Sequence, residues 1–428
     1  MARAPGAAQL GQVDGLIQRR QWAQARQLLE RLVAREPGNR EAWMKLRVVA
    51  ANQGDWSELR RVTLPLLGLE PPGPQRDDEE AHLCLLYGDM PRGWDLYEAR
   101  LRIPGRPAVY NWSKPDWDGA PFPGRTLVIY WEQGFGDTLM FVRYAALAKA
   151  RGGRVVLLVQ RELADLVATC PGVDLVVPNL DPIPPHDFTV PHLFRTDLAS
   201  IPAPVPYLRV PATVPHRQGL DQALAVGAGR RRIGIQWAGS PTHLRDRERS
   251  LALGALAPLA SLPGVAWYSF QLGAKEAPPL PGLVHLGPLM GNFSDTAHAL
   301  LAMDRVITVD TALAHLAGAL GIPTLVLLPI VPDFRWMLGR SDSPWYPACG
   351  CTGNRRPMPG RRSSPRSWPI CGPGSERRRR AFLRSSAEGP GRLRRRQPGG
   401  AGQRKNSGSR RRRLRVAASA ALRSRKTG

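Results

Sequence analysis

Between Arg125 and Pro329 the chain alternates short apolar runs with helical stretches, and few folds accommodate that rhythm. TLVIYW, RVVLLV, VDLVV and a shorter HDFTV read as strands, with DTLMFVRYAALAKARG and RELADLVATC as helices between them. The Pro-rich stretch IPAPVPYLRVPATVP interrupts. The rhythm then resumes, with RRIGIQWA, GVAWYSFQ, LVHLG, RVITVD and PTLVLLP as strands and ALAPLASL, SDTAHALLAMD and TALAHLAGALG as helices. Strands alternating with helices build parallel, doubly wound sheets. Two such units predict two Rossmann-like domains facing a cleft, with ligands at the carboxyl ends of the strands. The uncharged runs Ser250–Ala274 and Thr311–Pro332 each divide into helix, Gly/Pro break and strand. They read as buried segments and not as membrane spans.

Residues 1–100 carry helical periodicity instead. Trp22 recurs as Trp56, Leu32 as Leu66, Glu36 as Glu70 and Pro37 as Pro71, each 34 residues on. That is the period of the tetratricopeptide repeat, a helix pair that buries its face only by stacking on neighbours. The other reading is an unspecific helical cap. Residues 101–123 are rich in Pro, Gly and Trp and form a linker, which Trp112 and Trp117 would order by packing.

The formal net charge of +25 invites a nucleic-acid reading, but it is confined to one end. From Ala348 onward there are 24 basic and 2 acidic side chains, against 36 and 33 in the preceding residues. The body is nearly neutral, so whole-chain charge says nothing about the body's ligand. Of the cysteines, Cys84 and Cys170 sit in helical patterns, and Cys349, Cys351 and Cys371 lack His partners at zinc-site spacing. Neither a disulfide framework nor a metal site is expected, and a reducing compartment fits. The first 20 residues have no apolar core of signal-peptide length.

Three stretches could carry chemistry. EQGFGD ends the first strand and opens a helix. A dinucleotide fingerprint needs a third glycine where Leu139 stands, so that reading fails. Gly134 and Gly136 allow a tight turn, and Asp137 either caps the helix or takes a proton from an acceptor hydroxyl at the cleft mouth. In ITVDTALAHLAGALGIP, Asp310 ends a strand, Thr311 can cap the next helix, and His315 lies one turn further on the same face. That helix start is either a phosphate site or an ordinary packed helix. In QWAGSPTHLRDRERS, Arg245, Arg247 and Arg249 either fork onto a diphosphate or form a solvated loop.

Taken in order, GRTLVIYWEQGFGDTLMFVRYA, WAGSPTHLRDRERS, FSDTAHALLAMDRVITVDTALAHLAGALGIPTLVLLP and RWMLGRSDSPWYP resemble the glycosyltransferase family 9 domains that follow tetratricopeptide repeats in bacterial proteins. These are related to heptosyltransferases. The resemblance, from about Trp22 to Pro347, implies a GT-B fold and inverting, metal-independent transfer from a nucleotide-sugar, with no other cofactor. It makes Asp137 the candidate base on the acceptor-side turn of Gln133, Gly134 and Gly136. The donor side becomes Trp237, Gly239, Arg245, Arg249, Asp310, Thr311 and His315. Donors placed there would stabilise the charge that grows on the leaving diphosphate. One departure is Ala312, where the heptosyltransferases commonly carry Gly. The implied acceptor is a glycan, a lipid-linked glycan or a protein. A protein partner on the repeats, and a location in the cytoplasm or at the inner membrane's face, are also expected. The alternative is a repeat-bearing scaffold whose transferase domain no longer turns over.

The expected layout is a helical region at 1–100, a linker at 101–123, Rossmann-like lobes at 124–215 and 216–347, and a disordered basic tail at 348–428. Such a tail would bind polyanions without specificity. Its composition suggests another origin. Ala348 to Asn354 can be encoded as GCA TGC GGC TGT ACC GGC AAC, and from the third base this reads Met-Arg-Leu-Tyr-Arg-Gln, which resembles the family's usual continuation. The tail therefore reads as a frameshift product.

Overall fold

The computed structural model describes residues 5–104, 117–179, 190–202, 204–243, 245–273 and 276–353. Six helices come first: α1 (Pro5–Gln18), α2 (Trp22–Arg35), α3 (Arg40–Gln53), α4 (Trp56–Leu69), α5 (Pro74–Tyr87) and α6 (Met90–Tyr97). The 34-residue spacing extends beyond the residues that suggested it: Trp22, Trp56 and Met90 open α2, α4 and α6, while Arg40 and Pro74 open α3 and α5. Gly54 and Gly88 end α3 and α5 at φ 65° and 86°, left-handed positions that favour glycine. Asp55 then starts α4 by accepting the Glu58 N–H at 3.1 Å. In the linker, Trp112 lies outside the described residues. Trp117 packs edge-on against Phe122 and Phe194.

The first α/β unit has three parallel strands in the order β1-β2-β3: β1 (Thr126–Tyr130), β2 (Arg154–Gln160) and β3 (Leu175–Asn179). The helix expected after β1 is split into α7 (Phe135–Phe141) and α8 (Ala145–Lys149) by a 3-10 turn at Val142–Tyr144. Helices α9 (Ala164–Val167) and α10 (Val190–Leu193) follow. HDFTV lies outside the described residues except for Val190, which opens α10.

The second unit has six parallel strands in the order β6-β5-β4-β7-β8-β9. These are β4 (Arg231–Gln236), β5 (Val265–Ser269), β6 (Val284–His285), β7 (Arg305–Val309), β8 (Thr324–Leu327) and β9 (Cys349–Thr352). Numbered within the unit this is 3-2-1-4-5-6, the Rossmann order, so the direction of winding reverses between β4 and β7. Its helices are α11 (Arg217–Ala225), α12 (Asp246–Arg249), α13 (Phe293–Leu301) and α14 (Ala312–Ala319). ALAPLASL, expected as an α-helix, belongs to a 3-10 segment, Leu253–Ser261, because Pro258 offers no N–H. The architecture is the expected one: α/β, GT-B-like, two Rossmann-like units behind an all-α region.

One boundary moves. Residues 349–352 are the sixth strand of the second sheet and not the start of a tail. Strand pairing uses the backbone, so an open edge at β8 accepts any extended segment. Here Cys349 and Cys351 alternate inward to fill the sheet face. The rest of the expected tail lies outside the described residues.

One apolar cluster runs from Leu85, Trp94 and Tyr97 of the helical region through Leu139 and Phe141 to Leu316, Trp336 and Trp345. The helical region is joined to the first unit by a buried ion pair as well. Arg100, 1% exposed, forks onto Glu132 with Nε–Oε1 and Nη2–Oε2 distances of 2.9 Å. Its guanidinium also lies 4.2 Å from the Tyr97 ring centroid. Removing one partner of such a pair strands the other charge in the interior. Glu132→Gln should therefore lower unfolding free energy by about 3 kcal/mol. The double change Arg100→Met with Glu132→Leu should recover most of that, as read by urea denaturation.

Candidate functional site

Two strand-end turns meet where the units touch. The first follows β1. Gly134 N–H donates to Asp137 Oδ2 at 3.1 Å, and Asp137 N–H donates back to the Gly134 carbonyl at 3.1 Å, closing the turn that starts α7. A Cβ on Gly136 would stand 2.8 Å from His315 Cδ2, so the missing side chain is what lets α7 and α14 abut. Gln133 Nε2 donates to Tyr97 Oη of α6 at 2.8 Å, which ties the turn to the helical region.

Asp137 does not stand at an open cleft mouth. Its side chain is 16% exposed and borders a small cavity with Trp94, Tyr97, Glu132, Gln133, Phe141 and Arg335. The physical reason is the docking of α6 over the turn. Arg335, from the segment between β8 and β9, donates to Asp137 Oδ1 through Nη2 and to Asp333 Oδ1 through Nη1 at 2.7 Å. Burial pushes the Asp137 carboxyl above the usual range, with Arg335 pulling the other way.

The second turn lies at the winding reversal of the six-stranded sheet, where ligands of such sheets bind. Gln236 ends β4, and its Oε1 accepts from Thr311 Oγ1 at 2.6 Å. Thr311 occupies the N-cap position of α14, but its hydroxyl is spent on Gln236 and does not cap the helix. Arg249 lies across the turn, with Nη1 donating to the Asp310 carbonyl at 3.0 Å and Nε 3.3 Å from Asp246. Gly239 makes room for it: a Cβ there would fall 2.3 Å from the guanidinium. Burial, then the charge of Asp333, raises the Asp310 carboxyl to about 6.

The other expected donor residues fall elsewhere. Trp237 is buried in the core on one face of the sheet with Leu256 and Trp267, and only its backbone lines the turn. Arg245 is 45% exposed and donates to the Val331 carbonyl at 2.8 Å, at the edge of the site. His315 is a packed residue, 5% exposed, with Nδ1 2.9 Å from Tyr346 Oη and its ring stacked near Trp336. Burial pulls its pKa down to about 3, so at neutral pH it brings no positive charge to a phosphate. Sequence reasoning missed Gln236, Tyr97, Glu132 and Arg335. Only Arg335 had a signal, a cation beside Asp333 between two strands, but its partner Asp137 is 198 positions away.

A groove of about 830 Å³ runs beside this site, between α3, α4 and α5 on one side and Arg245, Glu248 and residues 329–334 on the other. Met44 and Val48 expose apolar surface along it. Among the described residues no group of three His, Cys, Asp or Glu side chains could hold a metal ion. No described helix is long and apolar enough to cross a membrane.

Two titrating groups, His315 in α14 and Asp310 just before it, act in opposite directions. His315 titrates near 6.5 unfolded and near 3 folded, so its stability is present above pH 6.5 and is lost as pH falls. Asp310 is raised from 3.8 to about 6, so its stability is present below pH 3.8 and is lost as pH rises through 6. Between pH 4 and 6 the two slopes oppose. His315→Gln should leave Asp310 unopposed and become steadily more stable relative to the parent, by roughly 1 kcal/mol per pH unit, as pH falls from 6 to 4.5. Denaturation midpoints across that range check it.

No family model matches the chain. It is 27% identical over 306 residues to Protein FlbA of Caulobacter vibrioides, an alignment covering 63% of this chain and 50% of that protein. The chain thus spans about half the length of the curated relative it matches. Among solved structures it is similar to the glycosyl transferase family 9 from Veillonella parvula, at 10% identity and a TM-score of 0.41, over 55% of this chain and 88% of that one. It is also similar to E. coli ADP-heptose LPS heptosyltransferase II, at 14% identity and a TM-score of 0.36, over 53% and 90%.

Proposed function

We propose that the chain is a glycosyltransferase that moves a sugar from a nucleotide-sugar to an acceptor hydroxyl, with inversion and without a metal. The observation that carries this reading is a buried carboxylate, Asp137, tied by Arg335 to Asp333, whose charge in turn acts on Asp310 at the winding-reversal turn of the second sheet. The glycosyltransferase family 9-like order of the sequence motifs supports it. In this reading the acceptor oxygen attacks the anomeric carbon, its proton passes to Asp137, and the bond to the diphosphate breaks. Arg249 and the start of α14 would meet the charge that develops on the leaving group. Gln236, through Thr311, would hold that helix start in place. Trp237 and His315 would act only by packing.

The groove between the helices and residues 329–334 shares Arg245 and Asp333 with the site, which makes it the natural approach for an acceptor. The helical region, read as tetratricopeptide-like repeats, would hold that acceptor, a glycan, lipid-linked glycan or protein, or a protein partner, in the cytoplasm or at the inner membrane's face. Beyond β9 we infer an out-of-frame segment; the nucleotide sequence of the locus tests this, and early stop codons in the shifted frame would overturn it.

The enzymatic reading is tested with the full chain and a panel of nucleotide-sugars. Binding is read by calorimetry and turnover by nucleoside diphosphate release. Asp137→Asn should lower kcat by about 10²–10⁴-fold and leave donor affinity unchanged. Turnover that survives the substitution removes Asp137 as the base. Donor binding with no turnover in the parent favours the scaffold reading.

A further inference from the structure

We infer that Arg335 is a positioning residue for the transfer, holding the Asp137 carboxylate oriented and ionised between the two units. This rests on the reading of Asp137 as the base. Three observations support it. Arg335 stands on the second unit and reaches a carboxylate on the first, so it reports how the two are joined. It is 12% exposed and pairs with Asp137 and Asp333 together, so one cation offsets two carboxylates in a region that water reaches poorly. Its Nε is buried without a partner among the described residues, so one donor remains unspent beside the carboxylate. A guanidinium placed only to tie the fold would be expected to use that donor too.

The chemistry follows from the carboxylate's two oxygens. Oδ2 is fixed by the Gly134 N–H and Oδ1 by Arg335. Each oxygen has a second lone pair, so a held carboxylate can still accept a hydroxyl proton. Burial disfavours the ionised form that a base needs, and the adjacent cation favours it. The charged and titratable groups around Asp137 are Arg335 and Asp333 from the segment after β8, Tyr97 from α6, and Glu132, itself paired with Arg100. His315 of α14 is neutral, which leaves Arg335 as the cation in contact with Asp137 among the described residues.

The test is the pH profile of kcat for the full chain. Removing the cation raises the pKa of the base, so Arg335→Gln should move the acid limb up by about one pH unit or more. Its kcat at pH 7 should fall about tenfold and recover towards pH 9, with donor KM within about threefold of the parent. Asp333→Asn removes a like charge and should move the limb down. It carries the test alone if Arg335→Gln does not fold. A loss by the same factor at every pH, or limbs unmoved in both variants, overturns the inference. Asp137→Asn separates the two failures: if it is inactive while the limbs stay fixed, only the role of Arg335 is wrong.

Discussion

The buried guanidinium of Arg143 is the interaction on which the junction of the two α/β units depends. It sits in the 3-10 turn after α7, 3% exposed. Nε donates to the Met140 carbonyl at 2.8 Å, Nη1 to the Trp345 carbonyl at 2.9 Å and Nη2 to Tyr207 Oη at 2.8 Å. The rings of Tyr207 and Tyr346 lie 4.4 and 4.9 Å from its centre. Taking a guanidinium out of water costs several kcal/mol unless its donors are met. Here the first unit, the Pro-rich crossing and the second unit each supply a partner. The charge is satisfied only when all three are assembled.

From that cage the geometry of the site follows by contact. Tyr346 Oη meets His315 Nδ1, and His315 lies against Gly136, in the first turn of α7 one residue before Asp137. Tyr207 Oη also donates to the Leu139 carbonyl of the same helix at 2.7 Å. On the other side, α6 and the 3-10 turn that follows it, Glu98–Arg102, hold the turn through Gln133–Tyr97 and Glu132–Arg100. The turn of Gln133 to Asp137 is thus held by the helical region and the second unit together. The closure also explains why Asp137 is desolvated and why a cation beside it matters for its ionisation.

Much of the fold was legible because it rests on short-range patterns. The 34-residue recurrence placed the helix pairs, and the alternation of apolar runs placed β1 to β8. Gly134 and Gly136 marked a turn, and at Gly136 the close approach is to His315. The misses share one cause, pairing across long separations. Arg335 meets Asp137 at 198 positions, and Thr311 meets Gln236 at 75. No local pattern signals either. Trp237 and His315 looked like ligands because they flank strand-end turns. Whether a side chain at such a turn faces ligand or core depends on what packs above it, and here Tyr346 and Trp336 cover the histidine.

The sequence by itself determined the kinds of element and their order, since periodicity and turn residues act within a few positions along the chain. It also determined that the body carries almost no net charge and that two glycine turns end strands. Only the tertiary structure decided that the second sheet winds in the Rossmann order and that residues 349–352 complete it. It alone buried Asp137 beside Arg335 and made His315 neutral. Those outcomes depend on which charges leave water together and which find partners there, and that is settled by assembly in space.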